Sequence, residues 1–499
     1  MRAHAHVDER NFSAFLNVLL FLSLSLSPLD SELKTDSVCV VLLFPSSQAL
    51  GPLRLFQASL LFSTIAVAVA IEYYQPEQIH LAYGDSPNDI VVTWTTYSNC
   101  DSVVEYGVGG FALKAEGSTT KFVDGGSEKR VMFIHRVTLK DLIPDAKYSM
   151  CNSGYHCGSV LGWSGVFWFK TPPDDESKWS PFLAVYGDMG NENAQSLARL
   201  QEEVQRGVYD AIIHVGDFAY DMDSDNARVG DEFMRQIETV AAYLPYMTCP
   251  GNHEQTYNFS NYRARFSMPG DTEGLWYSFN MGPIHFVSLT TEVYYNFNYG
   301  MKQLVKQYYW LENDLKEASI PENRLKRPWI ITYGHRPMYC SNDDYDDCRQ
   351  HSTFVRSGIP FLKWFGLEDL LYRYGVDLSI WAHEHSYERL WPVYDYKVLN
   401  GSTSEPYRNP RATVHIVTGS AGCSERTDPF IPAKPDWSAY RNSDYGYTRI
   451  KAWNGTHLYL EQISDDQDGQ VIDNIWIIKD KHEAFSTKDN IDSPPLNWT

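Results

Sequence analysis

The chain has 499 residues, room for roughly two or three domains, and its 43% hydrophobic and 21% charged content is ordinary for a globular protein. A formal net charge of −21, without any long basic run, argues against nucleic-acid backbone as the main partner. An anionic ligand would need a local positive site, such as metal ions, against an overall negative field.

Residues 1–70 read as a leader. Residues 12–26 form one apolar stretch behind a weakly basic start containing Arg2 and Arg10, and a second runs from Leu55 to Ile71 behind Arg54. The second ends in Ala68-Val69-Ala70, small residues at the positions a signal peptidase reads, and predicts cleavage after Ala70. Two alternatives stay open: one stretch is a signal anchor, or the true start lies downstream. No apolar run of spanning length follows, so the mature chain is expected to have no membrane span. N-x-S/T sequons outside the leader stand at Asn258, Asn400, Asn454 and Asn497. With a leader they predict a secreted or lysosomal glycoprotein. Of eight cysteines, Cys39 lies in the leader; Cys151/Cys157 and Cys340/Cys348 have spacings that a disulfide loop could close, with connectivity left open.

Residues 72–172 read as all-β. QIHLAYG, DIVVTWTT, SVVEYG, FIHRVTLKDL, AKYSMCNSG and GVFWFKT alternate over short strands between turn residues, the signature of a sandwich with Trp94 in its core. TPPDDESKWSP follows as a linker. From 181 to 393 strands alternate with helices. AQSLARLQEEVQRG ends at Gly207, FLKWFGLEDLLYRYG ends at Gly375, and NARVGDEFMRQIETVAAYLP and KQLVKQYYWLENDLKEAS lie between them. This pattern predicts an α/β core with an open sheet and crossover helices. Residues 394–480 return to β-rich segments, expected to complete the sheet or sandwich.

Five hydrophobic runs in this region each stop at a residue that can bind a metal. They are PFLAVYGD at Asp188, AIIHVGD at Asp217, LPYMTCPGN at Asn252, PWIITYGH at His335 and VDLSIWAH at His383. His385 lies two residues beyond the last, and Tyr220 three beyond Asp217. Loops at the carboxyl ends of strands can converge on one spot. Seven such ligands are too many for one ion and about right for two that share a bridge.

Asp188, Asp217 and an ionised Tyr220 supply three negative charges. A phenol with a pKa near ~10 ionises only against a strong Lewis acid, so a trivalent ion is its natural partner, with His385 filling out the site. Asp217 bridges to a second ion on Asn252, His335 and His383, a weaker set that suits divalent Zn, Fe or Mn. The net charge left is roughly plus two, or plus one with a bound hydroxide, which matches a phosphate group. Metal pairs about 3.5–4 Å apart hydrolyse phosphoesters, with metal-bound hydroxide attacking phosphorus in line. A trivalent ion acidifies water strongly, which predicts activity at acidic pH.

GDMG, GDFAY, GNHE, YGHRP and AHEHSYER resemble the five ligand motifs of purple acid phosphatases, within the calcineurin-like metallophosphoesterases, over about residues 72–480. Most of the wider superfamily has D-x-H at the first motif. Here Gly190 replaces that His and Tyr220 appears instead, which marks the purple subgroup. The resemblance implies an α/β protein with a β-sandwich metallophosphoesterase core and flanking helices, preceded by an all-β fibronectin-III-like domain. It implies Fe(III) on Asp188, Asp217, Tyr220 and His385, and a divalent ion on Asp217, Asn252, His335 and His383. It also implies that His253 contacts phosphate and protonates the leaving group, as imidazolium can at acid pH.

Two departures stand out. Plant members carry further histidines where this chain has MYCSNDDYDDC, with acids and Tyr345, which leaves the second proton donor open. Ala382 replaces the glycine usual before the last histidine pair. The Cys340–Cys348 loop resembles the animal high-molecular-weight branch. The expected function is an acid phosphatase for small phosphate monoesters. One alternative is a phosphodiesterase or nucleotide pyrophosphatase on the same site; another is a non-catalytic binding glycoprotein whose β domain engages a partner.

Other residues read more plainly. Neither HEHSY nor HEQTY completes HExxH, which excludes a zincin site. Glu254 is expected to support ligands rather than catalyse. His135, His156, His351 and His457 read as surface or packing residues. Tyr294 and Tyr295 either line the cleft or pack beneath it.

Overall fold

The computed structural model describes residues 73–485 except 87, 149–153 and 300. The leader stretches, the cleavage site after Ala70, Cys39, Cys151 and Asn497 lie outside the described residues. No helix among the described residues is long and apolar enough to cross a membrane.

Two antiparallel sheets form the N-terminal part. One orders the strands Glu77–Tyr83, Ile90–Thr96, Val131–Leu139 and Ser118–Val123. The other orders Leu113–Glu116, Val103–Gly107, Gly154–Ser159 and Gly162–Trp163. Ile90, Val92 and Trp94 alternate along one strand and are fully buried. The Trp94 indole stacks on buried His135 with ring centres 5.0 Å apart, so His135 is a packing residue.

The remainder is a sandwich of two mixed sheets. A six-stranded sheet runs Tyr246–Cys249, Ala211–Val215, Phe182–Tyr186, Gly446–Asn454, His457–Ser464, Gln470–Ile478. A seven-stranded sheet runs Tyr277–Met281, Ile284–Ser288, Trp329–Tyr333, Leu378–Trp381, Val414–Thr418, Tyr387–Leu390, Ser438–Asn442. Alternation assigns each side chain its layer. Leu183, Val185, Ile213 and Val215 meet Ile331, Tyr333, Leu378 and Ile380 between the sheets. Ala184, Tyr186 and Ile212 face outward, under Leu200 and Val204 of the helix Leu197–Gln205 and Phe233 and Ile237 of the helix Ser224–Ala241. Ile330 and Val417 face the opposite way, under Leu311 and Leu315 of the helix Lys302–Ala318.

The expected open sheet with crossover helices is therefore two sheets packed face to face, with helices only on the outer faces. Strands buried on both sides read as unbroken hydrophobic runs whether a helix or a second sheet covers them. One predicted helix is also shorter. FLKWFGLEDLLYRYG is helical only over Glu368–Arg373, because Phe361, Lys363 and Phe365 take left-handed backbone at φ 66°, 52° and 68°. Gly358, at φ 81°, starts that tight segment; a Cβ there would stand 2.2 Å from the Trp364 carbonyl.

Asp231 joins the two parts, paired with Arg130 at 2.7 Å from the N-terminal sheets and with Arg265 at 2.8 Å. A second buried carboxylate, Asp377, ties the end of the described chain to the seven-stranded sheet. It accepts from Ile330 N at 2.8 Å, Arg324 Nη2 at 3.0 Å and Lys479 Nζ at 2.5 Å. Burial is the largest influence on its carboxyl and pushes the pKa up, but Arg324 and Lys479 together hold it well below the usual carboxylate range. A depressed folded-state pKa gives stability that is complete above the unfolded value near ~3.9 and is lost as pH falls through the folded one. Asp377→Asn is expected to lose about 3–5 kcal/mol at pH 5–7. Denaturant titration across pH should show that difference shrinking below pH 4.

Candidate metal centre

Each ligand loop leaves the carboxyl end of a strand. Phe182–Tyr186 leads to Asp188, Ala211–Val215 to Asp217 and Tyr220, and Tyr246–Cys249 to Asn252. Trp329–Tyr333 leads to His335, and Leu378–Trp381 to His383 and His385. The first three strands belong to one sheet and the last two to the other, so the loops meet over the rim of the sandwich.

Sharp turns aim the side chains inward. Asp188, Asp217, Tyr220 and His383 take left-handed backbone at φ 57°, 52°, 57° and 71°, which disfavours a side-chain-bearing residue by about 1–2 kcal/mol each. Close approach of the loops demands glycine nearby. A Cβ on Gly251 would stand 2.1 Å from Asp217 Oδ1, and one on Gly216 2.6 Å from His335 Nδ1. The methyl of Ala382 already fills the space beside Gly187, where a second Cβ would stand 2.4 Å away. That contact accommodates Ala382 where a glycine is usual.

All seven predicted ligands meet in two adjoining groups. Tyr220 Oη lies 2.7 Å from His385 Nε2 and 3.5 Å from Asp188 Oδ1. His335 Nε2 lies 3.0 Å from Asp217 Oδ2, 3.1 Å from Asn252 Oδ1 and 3.2 Å from His383 Nδ1. Backbone carbonyls fix which nitrogens face inward: His335 Nδ1 donates to Val215 O at 2.9 Å, and His385 Nδ1 to Arg426 O at 2.8 Å. In neutral rings the inward Nε2 atoms then carry lone pairs, and they meet the lone pairs of carboxylate and amide oxygens. Such an array is repulsive without a cation in it.

The charge balance says the same. Asp188 is 0% and Asp217 1% exposed, and no Lys or Arg among the described residues pairs with either. Burial, the largest influence, pulls the His335 pKa down, yet the Asp217 and Asp188 charges outweigh it and push it up to about 10. Burial, then the same two carboxylates, pushes the Tyr220 hydroxyl well above its ordinary value. Left to itself the protein keeps the phenol protonated, and only a Lewis acid on its oxygen would yield phenolate. Three imidazoles, two carboxylates, an amide oxygen and a phenol in two groups fit a pair of cations.

Around this core, Glu254 accepts from Asp217 N at 3.0 Å, Phe218 N at 3.0 Å and Gly251 N at 2.8 Å, clamping two ligand loops together. His253 stands beside the ligands. Its backbone N donates to Asp217 Oδ1 at 3.0 Å, and Nδ1 lies 2.9 Å from Asp221 Oδ1. Asp346 hydrogen-bonds His383 Nε2, and Arg336 pairs with Glu292 at 3.0 Å and Asp346 at 3.3 Å. Sequence reasoning does not reach Asp221, Glu292, Arg336 or Asp346. The acidic run MYCSNDDYDDC was the available signal, but it does not say which acid turns inward. Tyr345 turns away, 88% exposed under Arg349. Tyr294 is buried and donates to Phe365 O at 2.6 Å, a packing role, whereas Tyr295 lies under the Arg336 guanidinium at 4.6 Å.

Cys340 and Cys348 form a disulfide, with Cα atoms 5.2 Å apart, that closes this acidic loop. Cys157 is buried and unpaired with any described cysteine. Asn454 is exposed at a hairpin tip between the strands Gly446–Asn454 and His457–Ser464, while Asn258 and Asn400 are half-buried.

Three family models match the chain. Residues 76–171 match the purple acid phosphatase N-terminal domain, 183–387 the calcineurin-like phosphoesterases, and 412–474 the iron/zinc purple acid phosphatase-like protein C. The chain is 60% identical over 414 residues to acid phosphatase type 7 of Danio rerio, covering 82% of this chain and 92% of that protein. It is 56% identical over 407 residues to acid phosphatase type 7 of Homo sapiens, covering 81% and 91%. The structure of a purple acid phosphatase from seeds of yellow lupin (Lupinus luteus) superposes with a TM-score of 0.69 at 26% identity, covering 84% of this chain and 78% of that one.

The chain belongs to the purple acid phosphatase family.

The family's iron/zinc centre is binuclear, and the two donor groups of this purple acid phosphatase match that number. Gly251 tests the arrangement, since its φ of −103° suits any residue and what bars a side chain is Asp217, through its carboxylate and its backbone N. Gly251→Ala is expected to keep the far-UV circular dichroism spectrum and lose most bound metal by elemental analysis. Glu254→Gln, which keeps the shape but weakens the clamp, is expected to lower metal affinity about 10–100-fold.

Proposed function

We propose that this chain is an acid phosphatase that hydrolyses small phosphate monoesters. The observation that carries the reading is the meeting of Tyr220 Oη, His385 Nε2 and Asp188 beside the Asp217, Asn252, His335 and His383 group. Asp188, Asp217, Tyr220 and His385 would hold Fe(III); Asp217, Asn252, His335 and His383 would hold Zn, Fe or Mn in the divalent state. When bound, the pair supplies Lewis acidity that neutralises the phosphate and makes water nucleophilic near acid pH.

The chain's own residues do the rest. Glu254 and the Val215 and Arg426 carbonyls fix loops and imidazoles, so the ligands need no reorganisation as charge develops. Asp221 occupies His253 Nδ1 and leaves Nε2, 3.9 Å from Asp217 Oδ2, to give a proton to the leaving-group oxygen. His383 Nε2 faces both the Asp346 carboxylate and, at 2.7 Å, the Arg336 Nη1 donor; with Arg336 paired to Glu292 and Asp346, the tautomer in which Asp346 accepts from Nε2 would leave Nδ1 its lone pair for the centre. A secreted or lysosomal location is supported by the Cys340–Cys348 disulfide and the exposed Asn454 sequon, both suited to an oxidising compartment.

Purified protein is expected to show a visible absorption band that Tyr220→Phe abolishes, with iron and a divalent metal by elemental analysis. It is expected to turn over p-nitrophenyl phosphate well ahead of the bis(p-nitrophenyl) ester, with an acidic optimum. The reverse preference would make it a phosphodiesterase, and no turnover with both metals bound would make it a binding glycoprotein. His253→Asn is expected to lower kcat on poor leaving groups by about 100-fold or more, with metal content unchanged.

A further inference from the structure

Glu384 stands between the two histidines of the last ligand loop but turns away from their cluster. It is fully buried, and its Oε2 has no hydrogen-bond donor among the described residues. Its Oε1 lies 2.9 Å from Cys348 Sγ, yet that sulfur is bonded to Cys340 and has no proton to give. A buried carboxylate without a donor on either oxygen must be neutralised by a proton, a cationic side chain or a metal ion.

The side chains around it are more carboxylates. Oxygens of Asp344, Glu384 and Asp428 all lie within 4.8 Å of one another, and Asp346, His383 and Glu384 form an overlapping group under the same limit. No Lys or Arg among the described residues pairs with Asp344, Glu384 or Asp428. Arg349 and Arg336, which flank this loop in sequence, are taken by Asp343 and by Glu292 with Asp346. Asp344 is exposed, so the group opens to solvent on that side. Asp428 Oδ2 is held by His385 N at 2.7 Å, and Asp344 Oδ1 by Asp346 N at 3.2 Å.

Carboxylate oxygens alone select hard cations, and calcium accepts six to eight oxygens in a flexible arrangement open to water, whereas magnesium demands a near-ideal octahedron. We propose that Asp344, Glu384 and Asp428 hold a calcium ion, outside the phosphoester site and joined to it through the His383–Glu384–His385 backbone. The ion neutralises Glu384 and ties the disulfide-closed loop to the loop that carries the last two histidines. The site thereby steadies the metal centre without touching substrate.

The test uses the full chain purified with its metal pair, freed of loosely held cations on a chelating resin and titrated with calcium chloride. Calorimetry is expected to show one saturable site, and saturation to raise Tm by about 2–5 °C. Asp344→Asn, a change at an exposed side chain, is expected to weaken calcium binding at least ~10-fold. Elemental analysis should find the original metal pair unchanged throughout. No response in the wild type, or an equal response in wild type and Asp344→Asn, overturns the proposal. So does a calcium-insensitive stability that falls from pH 5 to 8 and loses that slope in Glu384→Gln, because a shared proton then neutralises the group. The readout is binding and not turnover, so failure of the phosphatase reading leaves this result standing.

Discussion

Two carboxylates buried at the rim of a β-sandwich, with no Lys or Arg among the described residues paired to them, set the terms for the catalytic part of this chain. Asp188 and Asp217 repel each other and are separated from water. Histidines are their only basic partners among the described residues, and a metal-free His335 is pushed up to about 10 to answer them. Cations in place of those protons remove the repulsion and let each imidazole use a lone pair. Metal binding and the integrity of the rim are therefore one equilibrium, as linkage requires when a ligand's donors repel in its absence.

The fold opposes that repulsion by register. Tyr186 pairs with His214, Val215 with Cys249, and Tyr333 with Ile380, so strands with matched ends deliver neighbouring loops at one height. Two sheets contribute, and His335 bridges them: its strand belongs to the seven-stranded sheet, while its Nδ1 donates to the Val215 carbonyl of the six-stranded one. The same bond orients a ligand and clasps the sandwich. Glu254 repeats the economy within one sheet, with a single carboxylate satisfying three backbone donors of two turning loops.

The convergence of these side chains was legible because each ends a hydrophobic run, and the alternation within a run places its end on a sheet edge. Asp188, Asp217, Asn252, His335 and His383 needed no more than that, and Tyr220 and His385 followed by adjacency. The second sheet was not legible from periodicity and came only through the family resemblance, since Val185 and Tyr186 are equally apolar and nothing local tells which one faces a helix. The left-handed turn over Phe361–Phe365 escaped for a related reason: three aromatic residues in five mimic a helical face, and only contacts made elsewhere forbid the helix. Asp346, Arg336 and Asp221 lay outside reach because their roles depend on which way an exposed loop folds back, and a disulfide decides that for Asp346.

The last ligand loop shows how much one tripeptide can carry. His383 and His385 turn into the two donor groups, and Glu384 between them is turned toward a disulfide and three aspartates. A neutral side chain at 384 would pack there without penalty, whereas a buried carboxylate with no donor destabilises the loop unless something compensates it. The compensation must be positive, must reach the group from the Asp344 side, and must survive in water. A divalent cation meets all three conditions and, unlike a proton shared between two carboxylates, its binding would order the acidic loop and the two histidines together. The negative charge that makes this rim unstable by itself would then be the feature through which two kinds of ion, on opposite faces of one backbone, hold the same loop in place.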